Sequence, residues 1–376
     1  MINLPKIKTI VYGPAYLDVV IRVGGPLANQ GEPSIDQGGT AIYHSDTQLT
    51  KADALFILDK HGNSIKIEGV THQGLTGIYR MLSPDFQFAD RVVYATQIVE
   101  DLGGMGAGFA KLFEGNLISC LPVRKCHIRE KIENKLNQYG VVYQPILINH
   151  ENADWTLLIS SGRFGDKLPI GLRGCHDQFS ENQLPNDLPS ADLVIVASLK
   201  NEIMLEILRR NCNSIRLLAP ALRNCQAVQG AISLSALATH VEMLTLNEVE
   251  WQSMGENDRQ IWQDSHAILC ITRGPAGAEI SWQGLDGRRE YHHEPVFARA
   301  IDPVDTNRAG EAFGGTLMKY LIKQNWFNTE KVDAKQKILY ASQLAAVAAG
   351  LTIQMPEFAF PGEYQIEMTL QSGIIK

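Results

Sequence analysis

Long apolar runs are missing from this sequence: no window comes near the roughly 18 uninterrupted apolar residues that a membrane-spanning helix needs. The opening MINLPKIKTIVYG has no basic segment, extended apolar core or small-residue cleavage site, so it does not read as a targeting signal and a cytoplasmic location is expected. Basic residues are outnumbered, with 34 Lys and Arg against 41 Asp and Glu and a formal net charge of −7. That balance argues against a general nucleic-acid or membrane-surface binder, which needs a basic patch to neutralise phosphates, although local patches stay open. Cys120, Cys126, Cys175, Cys212, Cys225 and Cys270 include no C-x-x-C pair. Zinc and a disulfide framework are therefore disfavoured, and free thiols are expected. His44, His61, His72, His292 and His293 show no metal-ligand spacing with acidic or cysteine partners.

The common nucleotide signatures are absent as well. Around Gly103 the chain reads GGMGAG, but the third glycine of G-x-G-x-x-G would fall on Phe109, and Gly106 to Lys111 does not supply G-x-x-x-x-G-K-[ST]. What is present is ordinary globular composition, 45% hydrophobic and 20% charged over 376 residues. That length suits one large α/β domain with an appendage, or two modest domains.

The chain alternates strand and helix signals. KTIV before Gly13-Pro14 reads as a buried strand, with Leu17 to Val23 as its continuation or a second strand. From 24 to 100 helical periodicity is weak: a Gly/Pro-rich loop is followed by strand patterns either side of His61-Gly62-Asn63 and at RVVYATQIVE. This stretch reads as a β-rich insertion projecting from a main body of residues 1–23 and 101–376. After it come a short helix around Phe109, Leu112 and Phe113, a helix closed by Gly140, strands such as ADLVIVAS, and helices near 309–324 and 334–350. Apolar strands alternating with amphipathic helices predict a doubly wound, mostly parallel sheet covered on both faces, with ligands beyond the strands' carboxyl ends.

The strongest constellation is IDPVDTNRAGEAFGGTLMKYL, residues 301–321. An Asp-Thr pair ends an extended segment, and Arg308-Ala309-Gly310 lead into a helix with Phe313, Leu317 and Leu321 on one face. Such a helix start aims backbone N–H groups and a positive dipole end at one point, which suits a transferring phosphoryl group. Glu311 in the first turn is a candidate proton acceptor; equally, it is a carboxylate stabilising a helix N-terminus.

The segment resembles the C-terminal signature of the ribokinase-like carbohydrate and nucleoside kinases, the PfkB family, written D-T-x-G-A-G-D. Asp305, Thr306, Ala309 and Gly310 match, as does Ala312-Phe313 after them. Arg308 stands where a small residue is expected, and Glu311 where the catalytic Asp is expected. Further marks follow in the family's order. Gly13 with Asp18 looks like the first-strand motif. Asp101 to Gly108 looks like G-G-x-G-A-N, with Gly103 and Gly104 in place and Gly108 replacing Asn. Asn247 and Glu250 resemble N-x-x-E, and Thr272, Gly274 and Gly277 resemble the T-x-G-x-x-G nucleotide loop. Each has a plainer reading too: Asp18 as a turn or cap residue, the glycines as a tight strand-to-helix turn, Asn247 and Glu250 as a helix start, Gly274 and Gly277 as a hairpin.

The resemblance implies a ribokinase-like three-layer fold with an enlarged β-rich lid, and transfer of the γ-phosphoryl of ATP to a hydroxyl of a sugar, nucleoside or related polyol. By the same resemblance Asp18, Gly103, Gly104 and Gly108 hold the acceptor, Glu311 takes its proton, and Arg308, Ala309 and Gly310 face the phosphoryl group. Asn247, Glu250, Thr272, Gly274 and Gly277 serve the nucleotide, with Glu250 acting on Mg2+ through water and Asp305 contributing to a K+ site. A homodimer paired through the lid is expected. Exchanging Asp for Glu moves the carboxylate by on the order of 1 Å, enough to cost about 100-fold unless the backbone compensates. Arg308 would block the phosphate site, bind the phosphate, or pair with Glu311. A kinase weakened into a nucleotide- or sugar-binding regulator is the alternative function.

Overall fold

The computed structural model describes residues 7–22, 41–43, 55–59, 64–67, 92–95, 97–150, 153–160, 167–172, 174–226, 231–297, 306–328, 333–355 and 358–373. The loop read at 24–40, the histidines His44, His61 and His72, and Asp305 lie outside these described residues.

From the N-terminus, β1 (Thr9–Tyr12) breaks at Gly13-Pro14-Ala15 before β2 (Tyr16–Arg22). Then come β3 (Ala41–Tyr43), β4 (Leu55–Asp59), β5 (Ser64–Ile67), β6 (Val92–Ala95), β7 (Gln97–Gly103) and α1 (Met105–Phe113). The middle of the chain forms β8 (Asn116–Pro122), α2 (His127–Gln138), β9 (Tyr143–Ile148), β10 (Trp155–Ser160), β11 (Lys167–Leu172) and the single turn α3 (Cys175–Gln178). It continues as β12 (Leu193–Ala197), α4 (Asn201–Arg210), β13 (Ile215–Ala219), α5 (Leu222–Cys225), β14 (Met243–Asn247), α6 (Glu248–Ser253), α7 (Glu256–Asp264) and β15 (Ile268–Thr272). The hairpin strands β16 (Ala278–Gln283) and β17 (Arg289–Glu294) precede α8 (Ala309–Lys323), α9 (Ala334–Thr352) and α10 (Glu363–Ser372).

A nine-stranded sheet in the order β17-β16-β15-β14-β13-β12-β1-β8-β9 forms the body. From β15 through β9 all neighbours pair parallel, and only β16 and β17 run antiparallel at one edge. Successive strand residues point to opposite faces, so each continuous apolar run feeds two cores. Val11, Leu193, Ile195 and Leu217 pack with Leu317 and Leu344 on the side of α8 and α9. Ile10, Tyr12, Val194 and Val196 pack with Ile203 and Ile207 of α4 on the other. The result is the expected three-layer α/β arrangement.

Phe313, Leu317 and Leu321 are all buried, as their helical spacing predicts. Helix α8 is held close to the sheet by small residues: a Cβ on Gly314 would collide with Thr245 of β14, and one on Gly315 with the Leu112 side chain of α1.

Two smaller sheets accompany the body. One has the order β3-β11-β10-β2-β7 and the other β5-β4-β6. In the first, β2 pairs antiparallel with β7 from Tyr16↔Gly103 to Arg22↔Gln97 and parallel with β10 from Trp155↔Leu17 to Ser160↔Arg22. This sheet therefore draws β2, β10 and β11 from outside residues 24–100. Backbone pairing over distant segments assembles it, and composition carries no trace of such pairing. Among the described residues no helix is long and apolar enough to cross a membrane.

Candidate active site

The turn between β7 and α1 lies against the end of β1. Ala107 N–H donates to Pro14 O at 3.1 Å, and Gly104, the N-cap of α1, has φ 92°. A Cβ on Gly103 would land on the Asp18 carboxylate, so the β2 aspartate and the first motif glycine share one small space. One helical turn on, Gly108 faces α8: a Cβ there would stand 3.5 Å from Glu311 Cγ and 3.8 Å from Phe360 Cζ.

At the head of α8, Arg308 is the N-cap and adopts the left-handed φ of 67°. A glycine takes that conformation without penalty, whereas a side chain costs about 1–2 kcal/mol there, which explains why a small residue suits the position. The first helical hydrogen bond is Ala312 N–H to Arg308 O at 2.8 Å, so the amides of Ala309, Gly310 and Glu311 sit ahead of the helical ladder. Gly310 is exposed, and a Cβ added to it would meet nothing within 4 Å. The helix start thus presents backbone donors to open space beside Glu311.

The Arg308 guanidinium reaches a partner that the sequence did not suggest. Its Nη1 lies 3.6 Å from Asp101 Oδ2, with the two side chains only 8% and 10% exposed, and its Cζ sits 5.5 Å from the Phe358 ring centroid. Asp101 is itself fixed, accepting at Oδ1 from Tyr139 OH at 2.6 Å and from Leu102 N–H at 2.8 Å.

On the next part of the site, Asn247 caps α6. Its Oδ1 accepts from Glu250 N–H at 2.9 Å while its own N–H donates to Glu250 Oε2 at 2.8 Å. The structural role considered for this pair is thus present. Burial drives the Glu250 pKa up to about 8, the hydrogen bond from Asn247 N–H pulls it down, and the negative charge of Glu311 raises it further. Glu250 and Glu311 are therefore electrostatic neighbours. Thr272 pairs in register with Asn247, and its Oγ1 donates to Leu246 O at 3.4 Å. Gly274 and Gly277, with φ of 52° and 90°, form the turn from β15 into β16. Arg273 there bridges Glu248 at 3.4 Å and Glu279 at 3.0 Å.

The fold so gathers Asp18 with Gly103, Gly108 with Glu311 and Glu250, and Asn247 with Thr272, around the carboxyl ends of β1, β14 and β15. No family model and no curated protein matches the sequence. Solved structures do match in shape. The ribokinase of Giardia lamblia superimposes with a TM-score of 0.65 at 13% identity, over 97% of this chain and 99% of that one. A probable sugar kinase from Rhizobium etli gives 0.64 at 16% identity, over 99% and 100%. The adenosine kinase of Schistosoma mansoni, solved with 2-fluoroadenosine, gives 0.64 at 13% identity, over 96% and 99%.

The chain has the ribokinase-like fold. Within that fold, Asp101, Tyr139, Phe358 and Phe360 are the site residues that motif spacing passed over. Asp101 stands inside a run read only for its glycines, and the two phenylalanines lie far along the chain, where only the tertiary structure brings Phe358 beside Arg308 and Phe360 beside Gly108.

Proposed function

We propose that the protein is an ATP-dependent kinase transferring the γ-phosphoryl group to a hydroxyl of a sugar, nucleoside or related polyol. The observation carrying this reading is the head of α8, where unladdered amides and an open approach at Gly310 adjoin a carboxylate, Glu311. Asp18, above Gly103, holds acceptor hydroxyls. Glu311 removes the proton of the attacking hydroxyl, and the Ala309 and Gly310 amides stabilise charge on the phosphoryl group. The Asn247 and Thr272 strand ends, with the Gly274 to Gly277 turn, serve the nucleotide side.

The residues present fit a divalent cation. Glu250 and Glu311 bring two carboxylates near one another, and carboxylate oxygens are the ligands magnesium takes. Magnesium held on ATP oxygens and water beside Glu250 would neutralise phosphate charge during transfer. A homodimer joined through the lid agrees with β3 and β7 being the terminal strands of the five-stranded sheet among the described residues, and light scattering of the purified chain tests it.

Two features favour the alternative of a weakened kinase retained for binding: the glutamate at 311 and the arginine at 308, whose backbone is in the left-handed region. Both readings include nucleotide binding, so turnover separates them. ATP consumption with Mg2+ and K+ across a panel of sugars and nucleosides is the deciding measurement. Acceptor-dependent turnover abolished in Glu311→Gln supports the kinase; absence of turnover in the natural chain, with gain in Arg308→Gly, supports the binder.

A further inference from the structure

A second cluster of reactive side chains lies outside the phosphate site, where the five-stranded sheet joins the body. Asp154 immediately precedes β10, and Cys175 and His176 open α3 just after β11, so the three residues close the base of the β10–β11 hairpin. Asp154 O also accepts from Leu17 N–H of β2 at 3.4 Å.

All three side chains are sealed from solvent: Cys175 is 0% exposed, and the His176 and Asp154 side chains 1% each. Three donors converge on one oxygen, Asp154 Oδ2: the Cys175 thiol at 2.9 Å, His176 Nδ1 at 2.9 Å and His176 N–H at 3.2 Å. Gly174 N–H takes the other oxygen, Oδ1, at 2.9 Å. His176 Nε2 is buried with no hydrogen-bond partner among the described residues. The Tyr16 ring packs edge-on against the imidazole at a centroid distance of 5.4 Å.

We propose that Asp154, Cys175 and His176 form a structural binding site for a zinc-class divalent cation. One ligand atom from each residue falls within a 4.8 Å span. Tetrahedral zinc, with bonds of about 2.0–2.3 Å, separates its ligand atoms by roughly 3.2–3.8 Å, so the cluster reaches coordination geometry with side-chain shifts below about 1 Å. The donor set of thiolate, imidazole and carboxylate suits zinc over magnesium or calcium, which take oxygen ligands. Binding displaces the Cys175 thiol proton to solvent, and the imidazole proton moves from Nδ1 to the unpartnered Nε2 so that Nδ1 can ligate. The two anionic ligands then balance the two positive charges, leaving a neutral centre in a site no water reaches. The Cys120 carbonyl oxygen, 3.5 Å from Cys175 Sγ, is a neutral donor at hand for the fourth position. Spacing along the sequence disfavoured zinc because the ligands sit on opposite legs of a hairpin and meet only through strand pairing. A cation here fixes the root of β10 against β2, two residues from Asp18.

The test is zinc content of the untagged full chain after gel filtration, by mass spectrometry, together with absorption spectra after replacement by Co2+. The expected result is about one zinc per chain, a thiolate-to-cobalt charge-transfer band, and loss of both in Cys175→Ser and in His176→Gln. The natural chain decides the matter even where those variants do not fold. Zinc at background with no thiolate band on adding Co2+ overturns the proposal, and so does a band that persists in folded Cys175→Ser.

Discussion

Gly108 and Glu311 face one another, with 3.5 Å separating the place a Cβ would occupy on the glycine from the glutamate Cγ. Both are positions at which the chain, as also at Arg308, departs in side-chain size from the signatures it resembles. Glycine is smaller than the expected asparagine, and glutamate is longer than the expected aspartate. The two departures occupy the same space, so each makes room for the other.

Coupling between them is therefore expected in kinase assays. Gly108→Asn and Glu311→Asp should each lower turnover, by about 100-fold where the carboxylate is displaced by on the order of 1 Å, and the double variant should recover much of the loss. Glu311→Gln should remove about 10²- to 10⁴-fold in kcat, as expected for loss of a general base. Additive losses in the double variant would show that the two sites act independently.

Asp18 and Gly103 test the acceptor pocket. Gly103→Ala places a methyl on the Asp18 carboxylate, so the acceptor KM should rise at least about 10-fold, the loss of one well-placed polar contact, while the ATP KM stays near its natural value. Gly274→Ala meets no neighbour within 4 Å and suffers only its φ of 52°, so it should cost about 1–2 kcal/mol of stability. Steady-state kinetics with each substrate varied, and denaturant titration, separate these effects.

The Asp101 to Arg308 pair should be felt in stability. Asp101→Ala leaves a nearly buried guanidinium without its carboxylate and removes the acceptor of Tyr139 OH, at a cost of about 1–3 kcal/mol. Arg308→Gly relieves the left-handed backbone and should offset much of that cost in the double variant. Urea midpoints of the four proteins measure the coupling.

Glu250 sets a pH dependence of definite sign. Its folded pKa of about 8 lies above the ordinary glutamate value of 4.5, so the folded state holds the proton more tightly than the unfolded chain. Stability from this group is full below about pH 4.5 and is lost as pH rises through about 8. The melting temperature of the natural chain should fall more steeply between pH 5 and 8 than that of Glu250→Gln, and Mg2+ with ATP should raise it more at pH 8 than at pH 6. Parallel pH profiles for the two proteins would refute the assignment.

Much of the body was readable in the sequence. Leu193 to Ala197 is a continuous apolar run and every residue is buried, and Phe313, Leu317 and Leu321 mark the inner face of α8 by spacing alone. The glycine, Asn247/Glu250 and Thr272 motifs are far apart in the sequence, and the fold sets Gly103 beside Asp18, Gly108 beside Glu311 and Thr272 beside Asn247. Periodicity reports local burial, however, and says nothing about which strands pair or which distant charges meet. Hence β10 and β11 gave no sign of joining β2, Arg308 gave no sign of Asp101, and Asp154 gave none of Cys175 and His176.

Asp18 belongs to β2 of the five-stranded sheet, whereas Glu311 belongs to a helix packed on the nine-stranded one. Under the proposed roles, what is recognised and what is done to it are thus written into different layers of the molecule. On the proposed function, exchanging residues on β2, β10 or β11 should redirect the acceptor while the proton-accepting machinery stays intact, and damage at α8 should silence the chemistry while leaving recognition in place.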